Sequence, residues 1–389
     1  MLAESLTFSF FLIFSGAAVL ASLALFTRQP LIIAYIVLGA IIGPYGMGLI
    51  TDIDLLEETG HIGIIFLLFL LGLDMQPQAL LAVARKATAI TLASSALFAL
   101  TGWFVALQFG FSAVECLVIG AAMMFSSTII SIKLLPTTVL HHRHAGELMI
   151  GLLLIQDLLA IFVLIILFSS RAGELDGAAI GTAMVSLPLM AVFAWLAVKY
   201  LLLPLISRFD RFHEYIFLLA IGWCLGLAEL AHALQLSAEI GAFIAGISLA
   251  TSPISQYIAL NLKPLRDFFL VMFFFALGAR FNLALLDDVA LAAVLLTALM
   301  TLLKPVIFKK LLDWLGEQKE LGWSMGFRLG QNSEFSLLIA YVAAGSALIG
   351  EQASHLIQAT AILTFLVSTY IVIFNFPTPI AISDRLRRD

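Results

Sequence analysis

The chain has 389 residues, of which 62% are hydrophobic and only 12% are charged, with a formal net charge of −5. This composition excludes an ordinary soluble globular protein and is typical of a polytopic membrane protein. Nucleic-acid binding is not expected either, because the 20 lysines and arginines are scattered without a basic stripe. The two cysteines, Cys116 and Cys224, each lie in an apolar stretch and indicate no disulfide framework.

Apolar runs predict thirteen membrane-spanning helices, because a helix needs roughly 20 apolar residues to cross a hydrocarbon core. They cover residues 6–26, 31–50, 60–75, 86–109, 114–134, 147–168, 178–205, 213–234, 237–250, 265–282, 288–312, 323–347 and 355–376. The first run carries Glu4 and lacks a basic n-region, so we expect a retained span and not a signal peptide. Because the connecting segments are brief, residues 1–389 are expected to form a single membrane transport domain without a soluble regulatory domain.

Basic residues in the loops predict the orientation, because positive charge collects on the cytoplasmic side. With the N-terminus outside and the C-terminus in the cytoplasm, fifteen basic residues fall on the cytoplasmic side and two, Arg171 and Arg280, on the other. The fifteen are Arg28, Arg85, Lys86, Arg143, Lys199, Arg208, Arg211, Lys263, Arg266, Lys309, Lys310, Lys319, Arg385, Arg387 and Arg388.

The third and tenth spans resemble each other, and so do the second and ninth, at nearly the same offset along the chain. An offset of seven spans places the copies in opposite orientations, which is the inverted-repeat arrangement of many secondary transporters. Repeat one would cover about residues 1–170, a connector helix about 178–205 and repeat two about 213–376. The aligned pairs are Gly72 with Gly278, Phe69 with Phe275, and Gly39 with Gly246.

The sixth span contains an acid and an amide, Gln156 and Asp157, within GLLLIQDLLAIFVLIILF. Asp157 lies about ten residues into this span and therefore near the midplane, at 1.5 Å per residue. No residue one turn away on its own helix can pair with it. Intramembrane acids usually mark ion or proton pathways, so Asp157 is predicted to carry a cation or proton; a protonated acid in a bundle core is the alternative. The side-chain amide of Gln156 could have either of two roles: its N–H could donate to the Asp157 carboxylate, or its carbonyl oxygen could bind a cation.

The fifth and twelfth spans, which are repeat-related, carry polar residues at similar depth. Paired interruptions of this kind indicate a transporter site. The hydroxyls of the fifth span have two interpretations. Either they lie where the helix is interrupted and its backbone groups become available to a ligand, or they donate to carbonyls one turn earlier in an intact helix. The residues are Ser126, Ser127 and Thr128 in the fifth span, and Gly330, Gln331, Asn332, Ser333 and Glu334 in the twelfth.

Three basic residues fall within predicted spans, Lys133, Lys304 and Arg328, and the last two each have two interpretations. Lys304 either extends to the interface or forms an interior cation that pairs with an acid such as Asp157. Pro305 frees the carbonyl of Thr301, so this helix is expected to bend. Arg328 either extends to the cytoplasmic interface or stays inside.

Four motifs in order resemble the monovalent cation:proton antiporter-2 family: LGLDMQPQALL, SSTIIS, IQDLLAIF and QNSEFSLL. The Gln-Asp pair is most similar to the potassium-efflux, Kef-type branch, and the resemblance runs over essentially the whole chain. It implies an all-α fold of about thirteen helices with inverted repeats and two crossed discontinuous helices, as in sodium/proton antiporters. It also implies a homodimer in a bacterial inner membrane, with a dimerisation region and a moving core.

The sequence departs from the family pattern in two ways. Electrogenic relatives carry Asp-Asp where this chain has Gln156 and Asp157, so the single acid implies electroneutral, one-for-one exchange. Kef-type proteins usually continue into a cytoplasmic nucleotide-binding domain; this chain is either a short relative or the membrane part of a longer protein. Regulation by glutathione or nucleotide is therefore not carried over.

The predicted function is secondary active exchange of a monovalent cation, K⁺ or Na⁺, for H⁺ by alternating access. A cation channel or regulated conduit, or a same-fold transporter of another solute, is the alternative. An enzyme is not expected, because the sequence contains no phosphate loop, nucleophile elbow or HExxH motif, and no cofactor is predicted. The other expected partner is membrane lipid. The predicted ion and proton site is Asp157 with Gln156, Ser126, Ser127 and Thr128, supported by Gln331, Asn332, Ser333, Glu334 and Lys304.

Overall fold

The computed structural model describes residues 6–50, 54–74, 77–134, 144–168, 177–209, 211–234, 236–252, 254–282 and 286–378. The regular elements in these ranges are sixteen α-helices and one π-helical turn. The helices are α1 (Leu6–Phe26), α2 (Leu31–Ile42), α3 (Asp54–Asp74), α4 (Pro77–Gln108), α5 (Ala113–Met123), α6 (Thr128–Lys133), α7 (His144–Phe168), α8 (Gly177–Ala197), α9 (Leu203–Arg208), α10 (His213–Ala233), α11 (Ala238–Ala250), α12 (Ser255–Ala279), α13 (Leu286–Trp314), α14 (Lys319–Arg328), α15 (Glu334–Gly345) and α16 (Glu351–Asn375). The π-helical turn, Val198–Leu202, joins α8 to α9.

These helices fall in order on the thirteen predicted spans, so the predicted all-helical class is confirmed. Three spans hold two helices each: α5 with α6, α8 with α9, and α14 with α15. In the described part of the chain, seven helical segments are long and apolar enough to cross a membrane, and five further apolar helices are shorter.

Three predicted boundaries were wrong by eight residues or more. The fourth span was predicted to begin at residue 86, but α4 begins at Pro77. The second span was predicted to reach residue 50, but α2 ends at Ile42 because Gly43 and Pro44 follow, and the residue before a proline disfavours the helical conformation. The tenth was predicted to begin at residue 265, but α12 begins at Ser255. Its first turns carry polar and charged side chains, which an apolar-run criterion misses.

Contacts divide the chain into two compact units, and the first comprises Met1–Ala21, Ala34–Pro77 and Phe168–Phe281. It contains α3, α8 to α12 and most of α1 and α2. Its main apolar core joins α3 to α10, α11 and α12, with Phe69, Cys224, Leu249 and Leu262 among the fully buried side chains. The burial of Cys224 agrees with its interpretation as a core residue.

Two helix crossings in this first unit require glycine. They are Gly39 with Gly278, where α2 crosses α12, and Gly72 with Gly246, where α3 crosses α11. A Cβ atom on Gly39 would lie 2.0 Å from the carbonyl oxygen of Phe275, and one on Gly246 would lie 2.1 Å from that of Phe69. Separations this short are sterically forbidden, so only glycine lets the backbones approach so closely.

The two crossings correspond under the predicted repeat, in which Gly39 aligns with Gly246 and Gly72 with Gly278. Phe69 and Phe275, which supply the carbonyls at the two crossings, are also an aligned pair. The repeat and its boundaries remain a prediction, and the matching crossings support it.

The second unit comprises Ser22–Ile33, Gln78–Leu167 and Asn282–Asp389. It contains nearly all of α4 and α7 together with α5, α6 and α13 to α16. Helix α13 packs against α14 and α16, and α5 packs against α15 and α16. Ser112 and Glu115 begin α5 with a capping box, in which each side chain bonds the other residue's backbone N–H. All the candidate site residues belong to this unit.

Candidate functional site

The fifth span is a discontinuous helix, interrupted between α5 and α6. The Ser127 hydroxyl accepts from the backbone N–H of Ile130 at 3.2 Å and so caps α6, whose first residue is Thr128. Ser126 lies in the gap, and its hydroxyl donates to the carbonyl of Leu329 at 2.8 Å. The interpretation of these hydroxyls as part of an interrupted helix is therefore confirmed.

The twelfth span is interrupted in the same way between α14 and α15, and hydrogen bonds join the two discontinuous helices. The Gln331 amide donates to the Ser131 hydroxyl of α6 at 2.9 Å. The Ser336 hydroxyl of α15 donates to the carbonyl of Ala122 in α5 at 2.5 Å. Because unwound backbone exposes groups that must be paired inside a membrane protein, these bonds allow both interruptions to exist at the same place.

Asp157 lies midway along α7, with 2% of its surface exposed. The Thr128 hydroxyl donates to its two carboxyl oxygens at 3.4 and 3.3 Å. In the described part of the chain, no cationic side chain lies within ion-pair distance of this carboxyl group. The Asp157 carboxyl is thus held by one weak hydroxyl contact and is not paired with a permanent cation.

Gln156 is buried beside Asp157, and the predicted donation from its amide to the carboxylate was wrong. Its side-chain oxygen accepts from the backbone N–H of Ser126 at 3.1 Å, so this carbonyl stabilises the interruption. Its amide nitrogen makes no hydrogen bond to a described group, and so does not donate to Asp157. The local reason is that the interruption leaves the Ser126 N–H without a helical acceptor.

Lys304 is fully buried in α13, so its interpretation as an interior cation is correct, but its expected pairing with an acid was wrong. Its ammonium donates to the carbonyls of Phe125 at 2.7 Å and Gln331 at 3.1 Å, and to the side-chain oxygen of Asn332 at 2.9 Å. The two carbonyls follow the ends of α5 and α14, where helix dipoles leave partial negative charge. The cation therefore stabilises the crossing and neither extends to an interface nor pairs with Asp157.

Arg328 does not extend to the interface either, because 2% of its surface is exposed. Its guanidinium donates to the carbonyl of Leu134, the residue after α6, at 3.2 Å and to the carbonyl of Ser324 at 3.0 Å. The guanidinium of Arg328, like the ammonium of Lys304, therefore donates its hydrogen bonds to neutral oxygens.

Glu334 is the first residue of α15 and is buried. Its charge acts on the carboxyl group of Asp157, so the two acids repel one another when both are ionised. The positive end of the α15 dipole favours a negative charge on Glu334. Ser333 caps α15 by accepting from the backbone N–H of Phe335 at 3.1 Å. A proton or cation on Asp157 would relieve the repulsion.

The structure therefore brings the predicted residues together but distributes them between two tasks. Thr128 contacts the acid, whereas Ser126, Ser127, Gln156, Gln331, Asn332 and Lys304 hold the interrupted helices. Sequence reasoning missed Ser131, Ser336 and Thr364, whose hydroxyl accepts from the backbone N–H of Asn332 at 3.0 Å. A single hydroxyl in an apolar helix is common, so the sequence held no signal for Thr364.

Comparison with known protein families matches residues 11–375 to the sodium/hydrogen exchanger, transmembrane, family. This chain belongs to that family. Membership in the sodium/hydrogen exchanger family confirms the predicted class of function, cation/proton antiport, and does not favour the channel alternative.

Individual relatives cover most of the chain. It is 27% identical over 344 residues to the protein named iron transporter MagA of Paramagnetospirillum magneticum, covering 88% of this chain and 79% of that protein. It is 27% identical over 359 residues to K(+) efflux antiporter 6 of Arabidopsis thaliana, covering 90% of this chain and 60% of that protein. The match to a K⁺ efflux antiporter confirms the predicted Kef-type resemblance, and this chain spans less than two thirds of that relative's length.

The fold is similar to that of the sodium proton antiporter MjNhaP1 from Methanocaldococcus jannaschii, with a TM-score of 0.68. The similarity covers 91% of this chain and 92% of that one, at 18% sequence identity. It confirms the predicted sodium/proton antiporter-like fold.

Proposed function

We propose that Asp157 is the group for which a monovalent cation and a proton compete in this antiporter. The observation that carries the proposal is the state of its carboxyl group, which is buried and receives only the Thr128 hydroxyl from described groups. The buried cations of the same unit, Lys304 and Arg328, donate to other oxygens. An acid without a permanent counter-ion is free to bind either exchanged species.

Coupling of the two fluxes follows from the electrostatics of burial. An isolated ionised carboxylate is unstable in a medium of low dielectric constant, whereas a protonated or cation-occupied one is far less so. Asp157 would therefore change its access from one side of the membrane to the other only when neutralised. Repulsion from Glu334 adds to the penalty of the empty, ionised state. The same penalty prevents a leak of either species alone.

The proposed cation is K⁺ or Na⁺. The groups that face the site are carboxyl and hydroxyl oxygens, which suit hard cations. The relative named as an iron transporter raises the possibility of a transition metal. However, the described residues contain no group of three or more His, Cys, Asp or Glu side chains that could hold one. The donor set therefore favours an alkali cation.

The proposed exchange is electroneutral, with one proton for each cation. Its support is Gln156, a neutral amide at the position where a second acid beside Asp157 would add charge. In proteoliposomes with a fixed potassium gradient, addition of valinomycin sets a membrane potential and should leave the exchange rate unchanged. A rate that follows the imposed potential would contradict one-for-one exchange. The Glu334→Gln variant would then show whether Glu334 carries the additional charge.

The decisive experiment measures dequenching of a pH dye in proteoliposomes after addition of sodium, potassium, rubidium, lithium or ferrous iron in turn. The wild-type protein should respond to one or more of the alkali cations. Asp157→Asn should abolish the response, because a neutral amide has no proton to release when a cation binds and no negative charge to balance that cation. Asp313→Asn is the matched control, since Asp313 pairs with Lys309 at 2.8 Å on α13 and makes no contact with Asp157. Normal pH-dependent exchange by Asp157→Asn would remove the assignment.

We also propose a homodimer in a bacterial inner membrane, with the N-terminus outside. Fifteen against two basic residues support the orientation, and the family resemblance supports the dimer. Mass measurement in a mild detergent and accessibility of tags at either terminus would test both features.

A further inference from the structure

Arg328 is a buried guanidinium that binds three separate segments of the second unit. Such a group has five N–H donors and stays charged, so its burial demands several acceptors. Nε donates to the Leu134 carbonyl at 3.2 Å, Nη1 to the Ser324 carbonyl at 3.0 Å and to the Ser324 hydroxyl, and Nη2 to the Pro377 carbonyl at 2.5 Å. These acceptors lie just after α6, within α14 and just after α16.

The segment after α16 is packed in place beside this cation. The ring of Phe376 lies 5.6 Å from the guanidinium carbon of Arg328, at cation–π distance. In this segment Thr378 is buried, Phe376 is half-buried and Pro377 is exposed. One side chain, that of Arg328, attaches the segment to α6.

Helix α6 connects this attachment to the acid. Arg328 donates at the carboxyl end of α6, and its own carbonyl accepts from the Ser131 hydroxyl of α6 at 2.9 Å. The opposite end of this six-residue helix is Thr128, which donates to Asp157. A short helix moves as a rigid rod, so a displacement at its carboxyl end also displaces Thr128.

We propose that Arg328 is a positioning residue that ties residues 376–378 to α6 and thereby sets the Thr128 hydroxyl against Asp157. A displacement of residues 376–378 should then change the affinity of the site for the cation, because Arg328 transmits that displacement to α6 and Thr128. The inference deepens the proposed function and rests on its assignment of Asp157 as the ion-binding group.

The test is a double-mutant cycle between Arg328→Gln and a chain that ends at Asn375. Cation KM and maximal rate are measured in proteoliposomes and normalised to folded protein. Each single change should raise KM about threefold, within the limit set by complete loss of the Thr128 hydroxyl, and the combination should also raise it about threefold, because both remove the same connection. Arg328→Lys should give an intermediate KM, since one ammonium reaches fewer of the acceptors. Lys319→Gln, which removes an exposed cation from the same helix, should leave KM unchanged.

Two results would overturn the proposal: a roughly tenfold rise in KM for the combined variant, which signifies independent effects, or less folded protein with an unchanged KM. Hydrogen exchange supplies a readout that needs no transport. Backbone amides of α6 should exchange faster in Arg328→Gln and in the shortened chain, but not in Lys319→Gln. Protection of α6 that stays at the wild-type level would also refute the connection. If the wild-type protein shows no cation/proton exchange in the same proteoliposomes, the proposed function is refuted instead.

Discussion

The two units solve the problem of crossing helices in opposite ways. In the first unit, two pairs of helices pack closely because glycines without side chains lie at the crossings. The pairs are α2 with α12 and α3 with α11. In the second, the fifth and twelfth spans meet by unwinding, and side chains such as Ser126, Gln331 and Ser336 bond the exposed backbone. Both solutions bring backbones together within a hydrocarbon environment.

The difference has a direct consequence for chemistry. A glycine crossing leaves every helical hydrogen bond intact, so it requires no polar partner and offers none to an ion. An unwound crossing frees carbonyls and N–H groups, which must be satisfied by neighbouring side chains or by a ligand. In the described chain the buried lysine and arginine, Lys304 and Arg328, both lie in the second unit, where Lys304 binds freed carbonyls close to the interruptions. The buried acids Asp157 and Glu334 also lie there, whereas the first unit buries Glu239.

Replacement of Lys304 should have the largest effect on the unwound crossing. Lys304→Met leaves the acceptors of Phe125, Gln331 and Asn332 without this donor. Release of a buried charge offsets part of the loss, and we expect the free energy of unfolding to fall by about 3 kcal/mol, with loss of exchange. Thermal unfolding in detergent and the proteoliposome assay measure both. Lys310→Met, an exposed position on α13, should change neither; a Lys304→Met protein of wild-type stability would show that the crossing does not need its cation.

A methyl group at a glycine crossing should have an intermediate effect. Gly39→Ala places a Cβ atom 2.0 Å from the Phe275 carbonyl oxygen, so α2 and α12 must separate. The expected loss is about 2 kcal/mol of unfolding free energy. Gly226→Ala in α10 is the matched control, because nothing lies within 4 Å of its Cβ position, and helix propensity favours alanine there. Equal melting temperatures for both variants would contradict a close-contact role for Gly39.

Removal of the Thr128 hydroxyl should have the smallest effect. Thr128→Val keeps the side-chain shape but removes the donor to Asp157, whose contacts of 3.3 and 3.4 Å are long. A weak bond of this kind contributes no more than about 1 kcal/mol, so cation KM should change by about fivefold or less. Thr101→Val, whose hydroxyl bonds the Leu97 carbonyl of its own helix at 2.8 Å, is the control. Complete loss of exchange in Thr128→Val would instead make the hydroxyl indispensable to ion binding.

The order of the spans and the depth of the polar residues could be predicted because both depend on local composition. Asp157 was recognised from its isolation in α7, and the interruptions from clusters of polar residues at matching positions. The boundary of α12 could not be obtained this way, since its first turns are amphipathic and not apolar.

The partners of the long polar side chains could not be predicted. Lys304, Arg328 and Gln156 all bind backbone groups, and any residue type can supply a carbonyl or an N–H. Side-chain identity therefore carries no signal for such a partner. The expectation that Lys304 would find an acid considered only side-chain chemistry, which explains why it was wrong.

The sequence by itself determined the membrane environment, the order of the helices and the antiporter family, and it indicated Asp157 as the candidate acid for exchange. These follow from hydrophobicity, which acts over single segments, and from motifs whose residue types are specific. Only the tertiary structure decided how charge is arranged around Asp157. It placed Lys304 and Arg328 on neutral carbonyls, Gln156 on the Ser126 N–H, and the charge of Glu334 within reach of the acid. The reason is that a buried charge is stabilised by whichever oxygens the crossing chain brings within about 3 Å, and sequence separation does not limit that choice.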